Sequence, residues 1–200
     1  MSSLIIDLLR HGEPVGGPRY RGQTDDPLSG RGWLQMHRAL GETPPWDAVI
    51  TSPLHRCRAF AEQFAARHAL PLWVVHGLTE IDFGRWEGLT ATSLMRREAA
   101  ALARFWRDPV SYTPHGGETL TDFTRRTVAA WQTLLAAPPG RHLLLVSHGG
   151  TIRVLLHHVL DIPLLKLHQV EVPYACRTRL HVDFADGVAA VRLVSHGDAA

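Results

Sequence analysis

Of the 21 Lys and Arg residues only Lys166 is a lysine, and no run of basic residues gathers into a tail or stripe. A nucleic-acid-binding chain usually carries such a footprint, so with a formal net charge of +2 no nucleic-acid partner is expected. Cysteine is nearly as scarce. Cys57 and Cys176 make neither a disulfide framework nor a zinc site, and they read as small apolar side chains in a reducing cytoplasm. No stretch approaches the roughly 18 uninterrupted apolar residues that a membrane span needs. Met1-Ser2-Ser3 runs straight into Leu4-Ile5-Ile6 and then Asp7, without the basic start, long apolar stretch and small-residue cleavage site of a secretory signal. Internal repeats and low-complexity segments are also missing. What is there is ordinary for one globular domain over residues 1–200, with 45% hydrophobic and 20% charged residues.

Apolar runs with strand character alternate with helical patterns. Strands are expected at residues 4–9, 47–51, 72–75 and 143–147, and helices at 31–40, 53–68, 90–107, 119–136 and 150–160. In the second helix Leu54, Cys57, Ala61, Phe64 and Ala65 recur at the three-to-four spacing of one face, with Ser52 as the expected N-cap and Pro53 at the first helical position. Residues 178–184 and 188–195 flank Asp186-Gly187, which reads as a hairpin turn. Pro44-Pro45 and Pro138-Pro139-Gly140 read as connecting loops. The alternation predicts a three-layer α/β/α sandwich with a mainly parallel sheet and an antiparallel C-terminal edge. In such sheets ligands bind beyond the carboxyl ends of the strands.

Three of those ends carry polar residues that apolar packing does not require: Arg10-His11-Gly12-Glu13, Thr51-Ser52 ahead of Arg56, and Ser147-His148-Gly149-Gly150. If the strands are parallel neighbours, two histidines and two arginines meet in one crevice. Glycine after each histidine would let backbone amides approach a ligand, and helices starting near Pro53 and Gly150 would aim N-terminal amides at an anion. Two guanidiniums suit the non-bridging oxygens of a phosphate. A neutral imidazole there can attack phosphorus and form a covalent intermediate. Glu80, after the third strand, is placed to protonate the leaving oxygen, and Asp82 is its rival on spacing.

Each residue also has a plain reading. One strand-terminal histidine is more often structural than catalytic, and two of them, each followed by glycine, shift the balance. Arg56 alone would read as a solvated helix residue and Glu80 alone as a loop acid. Val194-Ser195-His196-Gly197 repeats Val146-Ser147-His148-Gly149, but no helix can follow it, so His196 reads as an end-of-strand residue. The six tryptophans read as packing residues, Phe105-Trp106 included, although that pair could roof a pocket. His157-His158 has no third ligand at a metal spacing, and no metal or cofactor is expected.

With those residues in view, the chain resembles the histidine phosphatase superfamily, also called phosphoglycerate-mutase-like. The resemblance is carried by Leu9-Arg10-His11-Gly12-Glu13, Thr51-Ser52-Pro53-Leu54-His55-Arg56, the stretch from Glu80 to Gly88, and Ser147-His148-Gly149-Gly150. It implies His11 as the phosphorylated nucleophile, Glu80 as general acid, His148 as the third catalytic residue, and Arg10, Arg56 and Gly149 around the phosphate. Arg21, Gly22 and His115 are candidate substrate contacts, and residues 88–120 a segment covering the substrate. Pro14-Val15-Gly16-Gly17 stands where mutases of the family carry an asparagine. The pattern from Tyr20 to Ser29, with Gly116-Gly117-Glu118-Thr119-Leu120, is similar to the α-ribazole phosphatases of cobalamin assembly.

The resemblance therefore implies a metal-independent phosphomonoesterase acting on a small-molecule phosphate monoester. A broad-specificity phosphatase, a phosphoglycerate mutase and a sugar-bisphosphate phosphatase are the alternatives within the family. Outside it stand a non-catalytic phospho-ligand binder and a serine hydrolase using Ser147, which lacks the Gly-x-Ser-x-Gly elbow. Whether the chain forms a homodimer is left open.

Overall fold

β4, His142–Ser147, is the strand whose sequence most nearly dictates its place. Its apolar run is uninterrupted because both of its faces are covered: Leu143 and Leu145 point into one core, Leu144 and Val146 into the other. A computed structural model describes residues 2–42, 44–185 and 188–197. Beside β4 run β1 (Ser2–Arg10) and β2 (Ala48–Thr51), both parallel to it, and β3 (Leu72–Val74) pairs parallel with β2. β5 (Arg177–Ala185) and β6 (Val188–Gly197) extend the other side antiparallel, giving the order β3-β2-β4-β1-β5-β6 among the described residues. The expected turn at Asp186-Gly187 lies outside the described residues, as do the last three positions after Gly197.

The helices form two layers. α1 (Gly30–Leu40) and α2 (His55–Arg67) cover one face, where Met36, Leu40, Phe60 and Phe64 pack on Leu9, Val49, Leu144 and Val146. The other face is covered by α4 (Leu120–Ala136) and α5 (Gly149–Leu160), through Trp131, Ile152, Leu155 and Leu156. Between them in the chain, α3 (Ala91–Arg107) leaves helical backbone at Glu98 and centres on its own apolar cluster of Trp86, Leu94 and Leu102. Side-chain caps start three of these helices: Ser29 accepts from Gly32 N, Thr90 from Ser93 N and Thr119 from Asp122 N.

The expected cap of α2 is not formed. The helix begins at His55, two residues beyond Pro53, its N-cap is Leu54, and no side chain caps it. Ser52 Oγ is instead 2.7 Å from His148 Nε2, drawn away by a partner 96 residues along the chain. A short 3-10 segment, Leu164–Gln169, was not anticipated.

Candidate active site

The register pairs Arg10 with Ser147, so the residues that follow, His11 and His148, emerge side by side. Their ring centroids lie 5.2 Å apart, and Tyr174 approaches His11 at 5.8 Å. His11 Nδ1 donates to its neighbour's carbonyl, Gly12 O, at 2.8 Å. Because a carbonyl can only accept, the proton of a neutral His11 sits on Nδ1 and the lone pair on Nε2. Burial, reinforced by the Arg56 and Arg10 guanidiniums, holds the His11 pKa well below its ordinary value, and the same burial and charges act on His148. Both rings are therefore neutral at pH 7.

The two arginines are held by neutral groups. Arg10 Nη1 donates to Val172 O at 2.5 Å, and its guanidinium lies 4.2 Å over the Tyr174 ring. Arg56, fully buried, donates to Thr24 O and Gly22 O, both at 2.8 Å. The Nε atoms of both are buried without a partner, and among the described residues neither arginine has a carboxylate in salt-bridge range. Glu87 fixes the loop that supplies those carbonyls by accepting from the backbone amides of Gly22, Gln23 and Thr24.

Glu80 is 8% exposed and accepts from Ile81 N at 3.0 Å and from Gly150 N, in the first turn of α5, at 2.8 Å. With Arg10, Arg21, Gly149 and Arg153 it lines a cavity of about 340 Å³. His11, at 5% exposure, and the fully buried His148 are not among the wall residues. Asp82 is not a wall residue either; its carboxylate accepts from Gly84 N at 2.7 Å and is spent on that turn.

Other expected contacts divide. Arg21 reaches the wall, with Nε on Asp26 at 2.8 Å and its remaining bonds on Val15 O and Gly17 O. Gly22 contributes its carbonyl to Arg56 and stands where a Cβ would meet Ile81 O at 1.9 Å. His115 is exposed and lines none of the cavities described here; only its carbonyl is engaged, by Arg85 N. Gly12 serves a different end from the one expected. A Cβ there would lie 2.1 Å from Gly32 O, so its bareness admits helix α1, not a ligand. Ser147 Oγ donates to Leu78 O at 2.9 Å and is fully buried, which leaves it no nucleophile's role. His196 ends β6 bonded to Thr178 and to the Glu171 carbonyl.

Four residues around the candidate site were given no role of their own there by the sequence. Ser52 and Tyr174 meet the histidines only through long-range folding. Glu87 sits in the motif that carried the resemblance and could have been found as a buried loop acid. Arg153 is five residues past His148, just over one turn into α5, and that spacing was the available signal. Trp106, read as a packing residue, is half exposed and lines the cavity.

Comparison with known proteins places this geometry. A bifunctional protein of Mycobacterium tuberculosis is 35% identical over 193 residues, covering 94% of this chain and 52% of its own length. The chain thus spans about half the length of that curated relative. The adenosylcobalamin/alpha-ribazole phosphatase of Salmonella typhimurium is 29% identical over 193 residues, 94% of each chain. The native structure of mycobacterial glucosyl-3-phosphoglycerate phosphatase superposes with a TM-score of 0.83 at 28% identity, covering 98% of this chain and all of the other. Residues 6–196 match the histidine phosphatase superfamily (branch 1), and the chain belongs to that family.

Proposed function

We propose that this chain is a phosphomonoesterase that works through a phosphohistidine on His11, with arginines and not a metal ion meeting the charge of the phosphate. The observation that carries the reading is a pair of guanidiniums, Arg56 fully buried and Arg10 on the cavity wall, each with a buried, unpartnered Nε and, among the described residues, no carboxylate in salt-bridge range. A buried charge left unpaired is costly, and an anion between Arg10 and Arg56 supplies the missing partner. In the first step the lone pair on His11 Nε2 attacks phosphorus and the ester P–O bond breaks. Glu80, protonated, gives its proton to the departing alkoxide oxygen. In the second, Glu80 as carboxylate takes a proton from water, whose oxygen displaces His11 and releases inorganic phosphate. His148 lies against the same phosphate, with Ser52 fixing its ring.

The Salmonella relative's name supports α-ribazole 5'-phosphate, a step of cobalamin synthesis, as the substrate. The structural neighbour's name supports a second reading, a phosphorylated sugar acid, and a broad-specificity phosphatase or a mutase would use the same chemistry. Residues 88–120 form the cover over the substrate in either case. Brief incubation with labelled substrate should leave acid-labile, alkali-stable label on the protein, and His11→Ala should abolish it. Undiminished hydrolysis by His11→Ala refutes the mechanism. A coupled assay on phosphoglycerates separates a mutase, which moves phosphate without releasing it.

A further inference from the structure

Beside the arginine-lined cavity lies a second one of about 180 Å³ whose wall is almost entirely carbon. Phe105, Phe123, Leu120 and Leu167 line it alone, while Tyr20, Phe83 and Trp106 line both. The two therefore adjoin, the first lined by charged groups and the second mainly by aromatic ones. Ring edges dominate the aromatic end: Tyr20 meets Phe83 at 5.2 Å and Phe105 at 6.5 Å, both edge to face. An apolar cavity of roughly 150 Å³ is enough to take up a benzene ring from water.

We infer that the aromatic cavity receives the leaving alcohol, so that the substrates are phosphate esters of alcohols bearing one or two fused aromatic rings. The inference rests on the phosphatase reading and names the substrate class of the same site. A polyhydroxylated sugar would bring several hydroxyls to a wall that is mostly carbon and whose polar side chains are few: Arg153, His168, the Trp106 indole and Tyr20 Oη, which is buried and makes no hydrogen bond of good geometry although that indole approaches it. That phenol suits a ring with a single polar atom. A carboxylated alcohol would need a cation on the aromatic side. Among the described residues Arg153 and His168 are the candidates: Arg153 is shared with the phosphate end, where a Cβ on Gly149 would lie 3.3 Å from Arg10 Nε and 3.4 Å from Arg153 Nη1, and the His168 ring meets the Trp106 ring edge to face at 6.3 Å.

The test compares pairs whose reacting ends match. With the full chain, calorimetry should show 2-phenylethylphosphonate binding about tenfold or more tighter than ethylphosphonate, the difference being burial of one ring. The corresponding phosphate esters, whose alcohols leave with similar difficulty, should show the same preference in KM. Trp106→Ala, at a half-exposed position, should cut the preference roughly two- to tenfold, and Trp106→Phe should restore most of it. Equal affinity of the two phosphonates overturns the inference while hydrolysis of both esters leaves the phosphatase reading standing. Tighter binding of a phosphonate that carries a carboxylate in place of the ring also overturns it. A clear preference among phosphonates with no hydrolysis of either ester keeps the aromatic site and removes the phosphatase.

Discussion

Gly150→Ala should separate proton donation from phosphate binding. A Cβ at Gly150 would stand 2.2 Å from Glu80 Oε1, and ordinary contact begins at 3.4 Å. The backbone of α5 cannot yield, but a carboxylate at the end of two methylenes can, so Glu80 must move by about 1 Å. A displacement of that size at a reacting group costs about 100-fold in rate, within the roughly 10²- to 10⁴-fold contribution of a positioned acid. Folding should hardly notice, because alanine in a helical turn gains about 0.5–1 kcal/mol over glycine, which offsets the lost Gly150–Glu80 geometry. The assay is kcat/KM for a matched pair of substrates. An alkyl ester, whose alkoxide must be protonated as it leaves, should lose about 100-fold. A nitrophenyl ester, whose phenolate leaves unaided, should lose less than about tenfold. Glu80→Gln should show the same split, since an amide has no acidic proton. Equal losses on both esters, or no loss on the alkyl ester, would refute Glu80 as the acid and return Asp82 to consideration.

Three further outcomes are expected. Asp7 is fully buried in β1 and accepts from Trp46 Nε1, from His142 and twice from Arg179, whose bonds outweigh the upward push of burial and lower its pKa. Asp7→Ala should cost about 3 kcal/mol in urea unfolding, the lower end for a broken buried pair because Arg179 is partly exposed; a cost below about 1 kcal/mol would show the network to be idle. His11 and His148 are depressed by burial and by the arginines, so below about pH 6.5 the unfolded chain takes up protons that the folded chain refuses. Stability should therefore fall as pH drops from 6.5, by at most about 1.4 kcal/mol per pH unit for each ring. Melting at constant ionic strength with and without phosphate checks this, since the anion offsets the arginines' effect and should flatten the slope. Gly22→Ala should lower both stability and phosphate affinity, because the backbone that must retreat from Ile81 O also carries the carbonyl holding Arg56. Unchanged affinity in a folded Gly22→Ala protein would count against that loop's part in placing the guanidinium.

The elements legible in the sequence are those whose burial is local in pattern. The run in β4 and the face of α2 through Cys57, Ala61, Phe64 and Ala65 each repeat at the period of their own backbone, and all of them are buried. The histidines and arginines at strand ends were legible for a related reason: they interrupt apolar runs where packing offers them no use. What stayed hidden depends on distant partners. Ser52 looked like a helix cap because caps are read from three or four neighbouring residues, and nothing nearby announces His148. Gly12 looked like room for a ligand, and only the approach of α1 shows whose room it is. Trp106 was misjudged because an aromatic residue on a helix has the same local pattern whether it faces a core or a cavity.

The arginines themselves are the physical ground for proposing this end of the sheet as a binding site and not merely a polar corner of the core. Where an arginine braces the fold, it is given a carboxylate: Arg179 has Asp7, Arg126 has Glu118 and Arg21 has Asp26, each within 2.8 Å. Such pairing fixes the side chain and also cancels its charge. Arg10 and Arg56 are fixed as firmly, by Val172 O and by Thr24 O and Gly22 O, but carbonyls direct a guanidinium without neutralising it. The charge stays available, at the cost of leaving the fully buried Arg56 and the partly buried Arg10 with no carboxylate in salt-bridge range among the described residues, Glu80 acting on both only from farther off. That cost is recovered only when an anion enters, so part of the stability of this region is lent to its ligand. It follows that inorganic phosphate should raise the melting temperature of the chain in proportion to the logarithm of its concentration above Kd. Arg56→Met, which removes the charge while keeping an apolar stem, should raise the melting temperature without phosphate and abolish most of the phosphate-dependent rise. Loss of stability by Arg56→Met in the absence of phosphate would mean that this guanidinium braces the fold after all.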